Sequence, residues 1–253
     1  MTNRSSDTVQ ARSFGAAAAQ YERGRPSYPA GALDWLLPAG ARRVLDLGAG
    51  TGKLTRLLVA RGLDVVAVEP SGGMRDELAR VVPGTSALAG TAEQIPLDDG
   101  AVDAVLVAQA WHWIDPEQAV PEVARVLAPG GMLGLLWNIR DERQPWVAEL
   151  GRIIHERAEQ RIYSDNPRVG PPFSPIERFD VEWTYDLTEP VLMDMVASRS
   201  YVITAPPEER DAVLSRVRDL LASHPALAGR SEIAMPYVTR CTRAYLGSPR
   251  VRG

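Results

Sequence analysis

The segment Val44-Leu45-Asp46-Leu47-Gly48-Ala49-Gly50-Thr51-Gly52 constrains this chain more than any other. Residues 42–47 are an apolar strand candidate that runs straight into the glycines. Leu54, Leu57 and Leu58 then share one face of a helix that ends at Gly62. A glycine-rich strand-to-helix turn lets backbone approach a bound group closely, and the helix start offers free N–H groups and a positive dipole end. Two nucleotide motifs fail on spacing. A P-loop needs glycine five residues before the Gly-Lys pair and Ser or Thr after the lysine, where this chain has Leu47 and Leu54. A dinucleotide fingerprint needs a glycine where Lys53 stands. What remains is G-x-G-x-G after a strand.

The hydrophobic pattern repeats the alternation of strand and helix. Residues 64–68, 85–89 and 102–108 predict further strands, with a short helix at 30–37 ahead of the first and a helix through Met74–Val81. Asp115-Pro116-Glu117-Gln118 reads as a helix start. Asp115 can accept from first-turn amides, Pro116 suits the first helical position, and Gln118 stands where a capping box wants it. Ala119, Val120, Val123, Val126 and Leu127 give that helix an apolar face; Pro129-Gly130-Gly131 stops it ahead of a fifth strand at 132–137. Apolar strands separated by amphipathic helices imply a parallel sheet covered on both faces.

After Asn138 the pattern changes. A helix near 145–161 precedes residues 179–186, where Phe179, Val181, Trp183 and Tyr185 alternate onto one face of a half-exposed antiparallel strand. Helices follow at 189–197 and 207–222, the second with Val213, Leu214, Val217, Leu220 and Leu221 on one face. Residues 233–246 predict a last strand, with Pro236 near its start or on an edge.

Composition excludes several functions. With 28 Lys+Arg against 32 Asp+Glu the net charge is -4, so no global basic field recruits nucleic acid or anionic lipid. One cysteine, Cys241, forbids an intramolecular disulfide and excludes Cys-rich zinc or iron–sulfur sites; three histidines, His112, His155 and His224, argue against a His-rich metal site. The polar start MTNRSSDTVQARS lacks the apolar core of a secretory signal, and no apolar run reaches about 18 residues, so a cytoplasmic protein without a membrane span is expected.

The G-x-G-x-G turn resembles the first motif of the class I S-adenosylmethionine-dependent methyltransferases, and three more stretches fit that family in order. Val66-Ala67-Val68-Glu69-Pro70 is similar to its second motif, whose acid accepts from both ribose hydroxyls. Gly90-Thr91-Ala92-Glu93-Gln94-Ile95-Pro96-Leu97 resembles the segment whose backbone and acid meet the adenine. Ala124 to Gly131 resembles the approach to strand five. Phe14, Tyr21, Arg25-Pro26-Ser27-Tyr28-Pro29 and Gln109-Ala110-Trp111-His112-Trp113 are similar to small-molecule enzymes of methyltransferase type 11, related to the trans-aconitate and menaquinone-pathway enzymes.

The resemblance implies an α/β fold: a doubly wound, seven-stranded, mostly parallel Rossmann-like sheet with a helical roof. It implies an N-terminal arm and lid helices over 1–37 and one methyltransferase domain over 38–253. The cofactor half is 38–138, the later strands are about 178–186 and 233–246, and a helical insertion spans 187–225. The cofactor is S-adenosyl-L-methionine, and Asp46, Gly48, Ala49, Gly50, Gly52, Glu69, Pro70, Met74, Thr91, Ala92, Glu93 and Gln109 are its expected binding residues. The partner is a small-molecule methyl acceptor, with no nucleic acid, membrane or metal, and the chain is expected to be a monomer or weak dimer.

Each candidate has a structural alternative. Asp46 either ties the loop amides together or touches ligand, and Met74 is either core or a cover for the adenine. Trp111 and Trp113 leave strand four where open α/β sheets bind ligands; with Tyr21 and Arg25 they are the candidate substrate residues. His112 is a candidate general base or a structural hydrogen-bonding group. Arg25 either grips a carboxylate or makes an ion pair in the arm, and Arg140 and Arg199 are weaker candidates of that kind. Asp141 and Glu142 read as surface, and Cys241 as a small buried filler. A non-catalytic cofactor-binding regulator and a nicotinamide oxidoreductase are the alternative functions.

Overall fold

The structure is a computed structural model that describes residues 22, 24–154 and 164–247. Seven strands form one sheet: β1 (Arg43–Leu47), β2 (Asp64–Val68), β3 (Ser86–Leu88), β4 (Val102–Ala108), β5 (Leu127–Arg140), β6 (Glu177–Leu187) and β7 (Ile233–Tyr245). Their order is β3-β2-β1-β4-β5-β7-β6. Leu45 pairs in parallel with Val66 on one side and Val105 on the other, and Val105 in turn with Leu133. The chain therefore leaves β1 towards β3, then returns to β4 on the opposite side. That reversal places a switch point at the carboxyl ends of β1 and β4, where open sheets of this kind bind ligands.

The chain divides into two compact units. One comprises Ser27–Asn138, Glu159–Val181 and Thr239–Gly253. Its helices are α1 (Ala30–Leu36), α2 (Lys53–Val59), α3 (Gly72–Val81) and α4 (Pro116–Val126). Leu33 and Leu36 of α1 and Leu54 and Leu58 of α2 are buried with Val44, Leu106, Met132, Leu136 and Cys241 of the sheet. Cys241 is thus the buried filler expected, and burial pushes its thiol up to about 12. Asp103 fixes the register at the amino end: its Oδ2 accepts from the Arg42 and Arg43 amides at 2.8 and 2.9 Å.

The other unit comprises Met1–Pro26, Ile139–Ala158 and Glu182–Val238. Here α5 (Pro145–Ile153), α6 (Glu189–Ala197), α7 (Ser200–Thr204) and α8 (Pro207–Ser223) bury Trp146, Leu150, Met195, Val196, Val217 and Leu220 with Met235 and Tyr237 of β7. Trp183 stacks on Tyr237 with ring centroids 5.5 Å apart. Among the described residues no helix is long and apolar enough to cross a membrane.

Several elements depart from expectation. The fifth strand begins at Leu127, not 132, and runs to Arg140. Val102 pairs with Leu127 and Ala104 with Met132, so Pro129-Gly130-Gly131 is a bulge inside the strand rather than a turn ahead of it; Gly130 supplies the positive φ of 77°. The helix near 145–161 is described only as far as Ile153, and α7 was not foreseen. Phe179 does not share the burial of Val181, Trp183 and Tyr185: it is 41% exposed at the sheet edge and stacks on Trp35. Asp115 does cap α4, accepting from the Glu117 amide at 3.1 Å, but the capping box is not closed. Gln118 bonds the Asp115 carboxylate instead of its amide, because that amide is taken by Glu93.

Gly134, in the middle of the apolar run of β5, is a packing requirement. A Cβ there would stand 2.5 Å from Leu106 Cδ2 and 3.0 Å from Leu36 Cδ2. Gly134→Ala should therefore destabilise the fold by about 1–3 kcal/mol, read as a lower denaturation midpoint. An unchanged midpoint would show that these leucines yield without cost.

Candidate functional site

The glycine turn follows β1 directly, and it is folded onto the end of β2. The Gly48 and Ala49 amides both donate to the Val68 carbonyl, at 2.8 and 3.1 Å. The Gly50 amide donates to Glu69 Oε2 at 2.9 Å, and the Gly52 amide to the Ala49 carbonyl at 2.9 Å. Acceptors at the end of β2 thus take the amides of Gly48, Ala49 and Gly50, and the turn itself takes that of Gly52. The three glycines also divide their tasks. All have positive φ, of 73°, 57° and 87°, which only glycine adopts without strain. A Cβ on Gly48 would meet Ala110 Cβ at 2.9 Å, and one on Gly52 would meet Leu78 Cγ of α3 at 2.9 Å; one on Gly50 meets nothing within 4 Å. Close approach by a ligand is thus open at Gly50, whereas Gly48 and Gly52 serve packing.

Two carboxyl groups stand at this end of the sheet. Glu69, 8% exposed, accepts from Gly50 N with Oε2 and from Ser71 N with Oε1, the latter at 2.9 Å. Each oxygen keeps a lone pair for a further donor. Burial raises its pKa, opposed by those two amides. Asp46, 1% exposed, accepts from Thr55 Oγ1 at 2.6 Å, so it anchors α2 rather than gathering the loop amides. Its Oδ1 has no hydrogen-bond partner and is closed to solvent. Burial pushes the Asp46 carboxyl up to about 7, with the Glu69 charge adding in the same direction.

The remaining cofactor candidates scatter by exposure. Pro70 and Thr91 are exposed, and Ala92 and Met74 are buried at 5% exposure each. Ala49 is buried and Glu93 half-buried. Glu93 Oε1 accepts from the Asp115 amide at 3.0 Å, which ties the segment after β3 to the start of α4. Gln109 is the one non-glycine residue with positive φ, 60°, among the described residues. It sits just past β4, held by its amide to the Leu136 carbonyl at 2.9 Å and its side chain to the Asn138 carbonyl at 3.4 Å.

Trp111-His112-Trp113 form a single 3₁₀ turn after Gln109. Trp111 is 2% exposed and Trp113 54% exposed, so of the pair only Trp113 presents its ring to solvent. The His112 ring lies 4.7 Å from the Trp113 ring. Burial pushes the His112 pKa down to about 4, which leaves a neutral imidazole with little driving force to accept a proton. As a general base it is therefore disfavoured. Arg25 donates to the Ser198 carbonyl at 3.5 Å, in the unit that also holds Arg140 and Arg199. Arg140 is 2% exposed; Asp141 and Glu142, expected at the surface, are half-buried. Phe14, Tyr21 and His155 lie outside the described residues. Among the described residues no three His, Cys, Asp or Glu side chains gather as a metal site. Sequence reasoning missed Asn138 and Thr55. A polar residue closing an apolar strand, and a threonine one helical turn into α2, were the available signals.

Comparison with known proteins agrees with this arrangement. Residues 45–135 match the family model described as a methyltransferase domain. An uncharacterised methyltransferase of Mycobacterium tuberculosis is 62% identical over 234 residues, covering 92% of this chain and 96% of the relative. An uncharacterised methyltransferase-like protein of Schizosaccharomyces pombe is 32% identical over 248 residues, covering 92% and 95%. The same fold is seen in a type II methyltransferase structure from Anaeromyxobacter dehalogenans, at a TM-score of 0.65 and 24% identity over 88% of this chain and 97% of that one. With a sheet reversed at β1 and β4, an acid closing β2 on the glycine turn, and relatives matched over nearly their whole length, the chain belongs to the class I S-adenosylmethionine-dependent methyltransferases.

Proposed function

We propose that this protein transfers a methyl group from S-adenosylmethionine to a small-molecule acceptor whose reacting oxygen is already ionised at neutral pH, a carboxylate. The observation that carries the cofactor reading is the Glu69 carboxylate, fixed by the Gly50 and Ser71 amides with a lone pair left on each oxygen. Two such acceptors suit the paired hydroxyls of a ribose. Gly50 fits the same group, since the space above its Cα is open. Ala92 and Met74, which the family resemblance assigns to the adenine, are both buried, so their part in that subsite would be to wall it with apolar surface. When bound, the cofactor supplies an electrophilic methyl on a sulfonium centre. What is left to the chain is to hold the acceptor in line at about 3 Å and to keep water out.

The acceptor class rests on His112. A hydroxyl or phenol would need a base to remove its proton, and such a base contributes about 10²–10⁴-fold. His112, with its pKa pushed down to about 4, is a poor one at neutral pH. A carboxylate acceptor needs none. Calorimetry with S-adenosylmethionine, S-adenosylhomocysteine and NAD, followed by a labelled-methyl screen over carboxylic acids, phenols and amines, tests both halves. The two adenosyl compounds should bind, NAD should not, and label should enter a carboxylic acid. Binding without transfer to any class would leave a non-catalytic binder; transfer to a phenol would reverse the acceptor assignment.

Glu69→Ala should weaken S-adenosylhomocysteine by about 1.5–3 kcal/mol, roughly ten- to a hundred-fold. It should also loosen the glycine turn, whose Gly50 amide loses its acceptor. Glu69→Gln, which keeps one acceptor oxygen, should fall between. Parent-like affinity in a folded Glu69→Ala variant would remove the ribose assignment.

Two of the shifted groups, His112 and Asp46, oppose each other in pH dependence. His112 goes from 6.5 unfolded to about 4 folded, so its contribution is present above pH 6.5 and lost as pH falls towards 4. Asp46 goes from 3.8 to about 7, so its contribution is present below 3.8 and lost as pH rises towards 7. Between roughly pH 4.5 and 6 the slopes of these two groups, each about 1.4 kcal/mol per pH unit at most, should largely cancel each other. Relative to the parent, His112→Gln should make stability fall more steeply with rising pH, and Asp46→Asn should make it rise. Denaturant unfolding at several pH values reads both, and slopes identical to the parent in the two variants would contradict the shifts.

A further inference from the structure

We propose that Asn138 is a positioning residue for the cofactor site, holding the segment ahead of α1 and the strained Gln109 in register at the carboxyl end of the sheet. The proposal rests on the methyl-transfer reading above. The side-chain amide of Asn138 is held at both its nitrogen and its oxygen. Its Nδ2 donates to the Ser27 carbonyl at 2.8 Å, across 111 residues of sequence, and its Oδ1 accepts from Thr239 Oγ1 of β7 at 2.6 Å. Its own carbonyl accepts from Gln109 Nε2 at 3.4 Å. Thr239 is fully buried, so its hydroxyl is held in place by packing as well as by this bond.

Three chain segments therefore meet on one residue. Ser27 leads through Tyr28 and Pro29 into α1, Gln109 leads from β4 into the Trp111-His112-Trp113 turn, and Thr239 belongs to β7. Asn138 is two residues past Leu136, which pairs with Ala108 at the carboxyl end of β4. That is the ligand end of a sheet reversed at β1 and β4. Gln109 carries the positive φ that side chains rarely adopt, and such a residue persists only where its surroundings over-determine it. Its two holds run to the same short stretch of β5, to Leu136 and to Asn138. A shift of Asn138 thus moves the β4 exit and the Ser27 segment together. An amide is the one side chain of this size that can donate to Ser27 and accept from Thr239 at once. Leucine or aspartate at 138 loses the donor.

The test uses the full chain and S-adenosylhomocysteine as probe. Asn138→Asp keeps the shape and the acceptor for Thr239 but sets a carboxylate against the Ser27 carbonyl. At pH 7.5 it should bind at least ten-fold more weakly than the parent, with faster hydrogen exchange at Ser27 and Tyr28. Equal affinity at pH 7.5, or unchanged exchange at Ser27 and Tyr28, overturns the proposal. Thr239 gives the second readout and decides alone should Asn138→Asp not fold: Thr239→Ser, which keeps the hydroxyl, should hold parent affinity, while Thr239→Val should lose it several-fold. Equal affinity in those two variants overturns the proposal as well. A parent that fails to bind S-adenosylhomocysteine would instead strike the methyl-transfer reading on which this one stands.

Discussion

The end of β2 holds the glycine turn, and the rest of the site depends on it. Val68 gives its carbonyl to two successive amides of the turn, and Glu69 gives one carboxylate oxygen to a third. The other oxygen of Glu69 takes the Ser71 amide, so one side chain stiffens the turns after both β1 and β2. Hydrogen bonds from amides to a carboxylate are stronger than neutral ones, and here they lie in a largely buried setting. The same contacts fix which lone pairs of Glu69 remain, and so which donors a ligand must bring. Three of the turn's amides are spent on β2, which turns a loop that could cradle phosphate into a rigid floor with one open position, Gly50.

Below this floor the sheet is stiffened by packing. Leu54 and Leu58 press α2 onto β1 and β4, and Asp46 reaches from β1 to Thr55 on the same helix. The helix that starts at the turn is therefore held by apolar contact and by a buried acid at once. Gly52 completes the arrangement by letting α3 come close, since Leu78 occupies the space a Cβ would need. Burial of the acid carries a cost, visible in its raised pKa. A chain selected for stability alone would place an apolar side chain at 46.

Much of this was legible in the sequence because the signals were local. Strands at 64–68 and 102–108 match β2 and β4 residue for residue, since short valine-rich apolar runs between amphipathic helices suit buried strands and are too short for helices. Asp115 and Pro116 marked the start of α4 for the same reason. The misses involve competition between distant groups. Nothing near Gly48 announces that Val68 will take its amide, and nothing near Gln118 announces that Glu93 will take the amide a capping box needs. The bulge at Pro129-Gly130-Gly131 is a matter of register against β4, which a turn signal read alone assigns to a loop. Asn138 was visible only as the place where the hydrophobic pattern stops. Its three partners come from residues 27, 109 and 239.

The two buried carboxyls bear on the charge of the ligand. Asp46 and Glu69 both stand above their ordinary pKa because water is withheld, and Asp46 is pushed further by the negative charge of Glu69. Two desolvated acids that repel each other favour any occupant carrying positive charge, since its field lowers both pKa values and recovers part of what burial cost. On the methyl-transfer reading the donor carries a sulfonium cation that its demethylated product lacks. A positive charge at the open Gly50 position, beside the Glu69 carboxylate, would relieve part of that burial cost, and a neutral group there would not. An acid bonded to two backbone amides cannot turn away as the charge disappears, so this preference is built into the geometry of the turn.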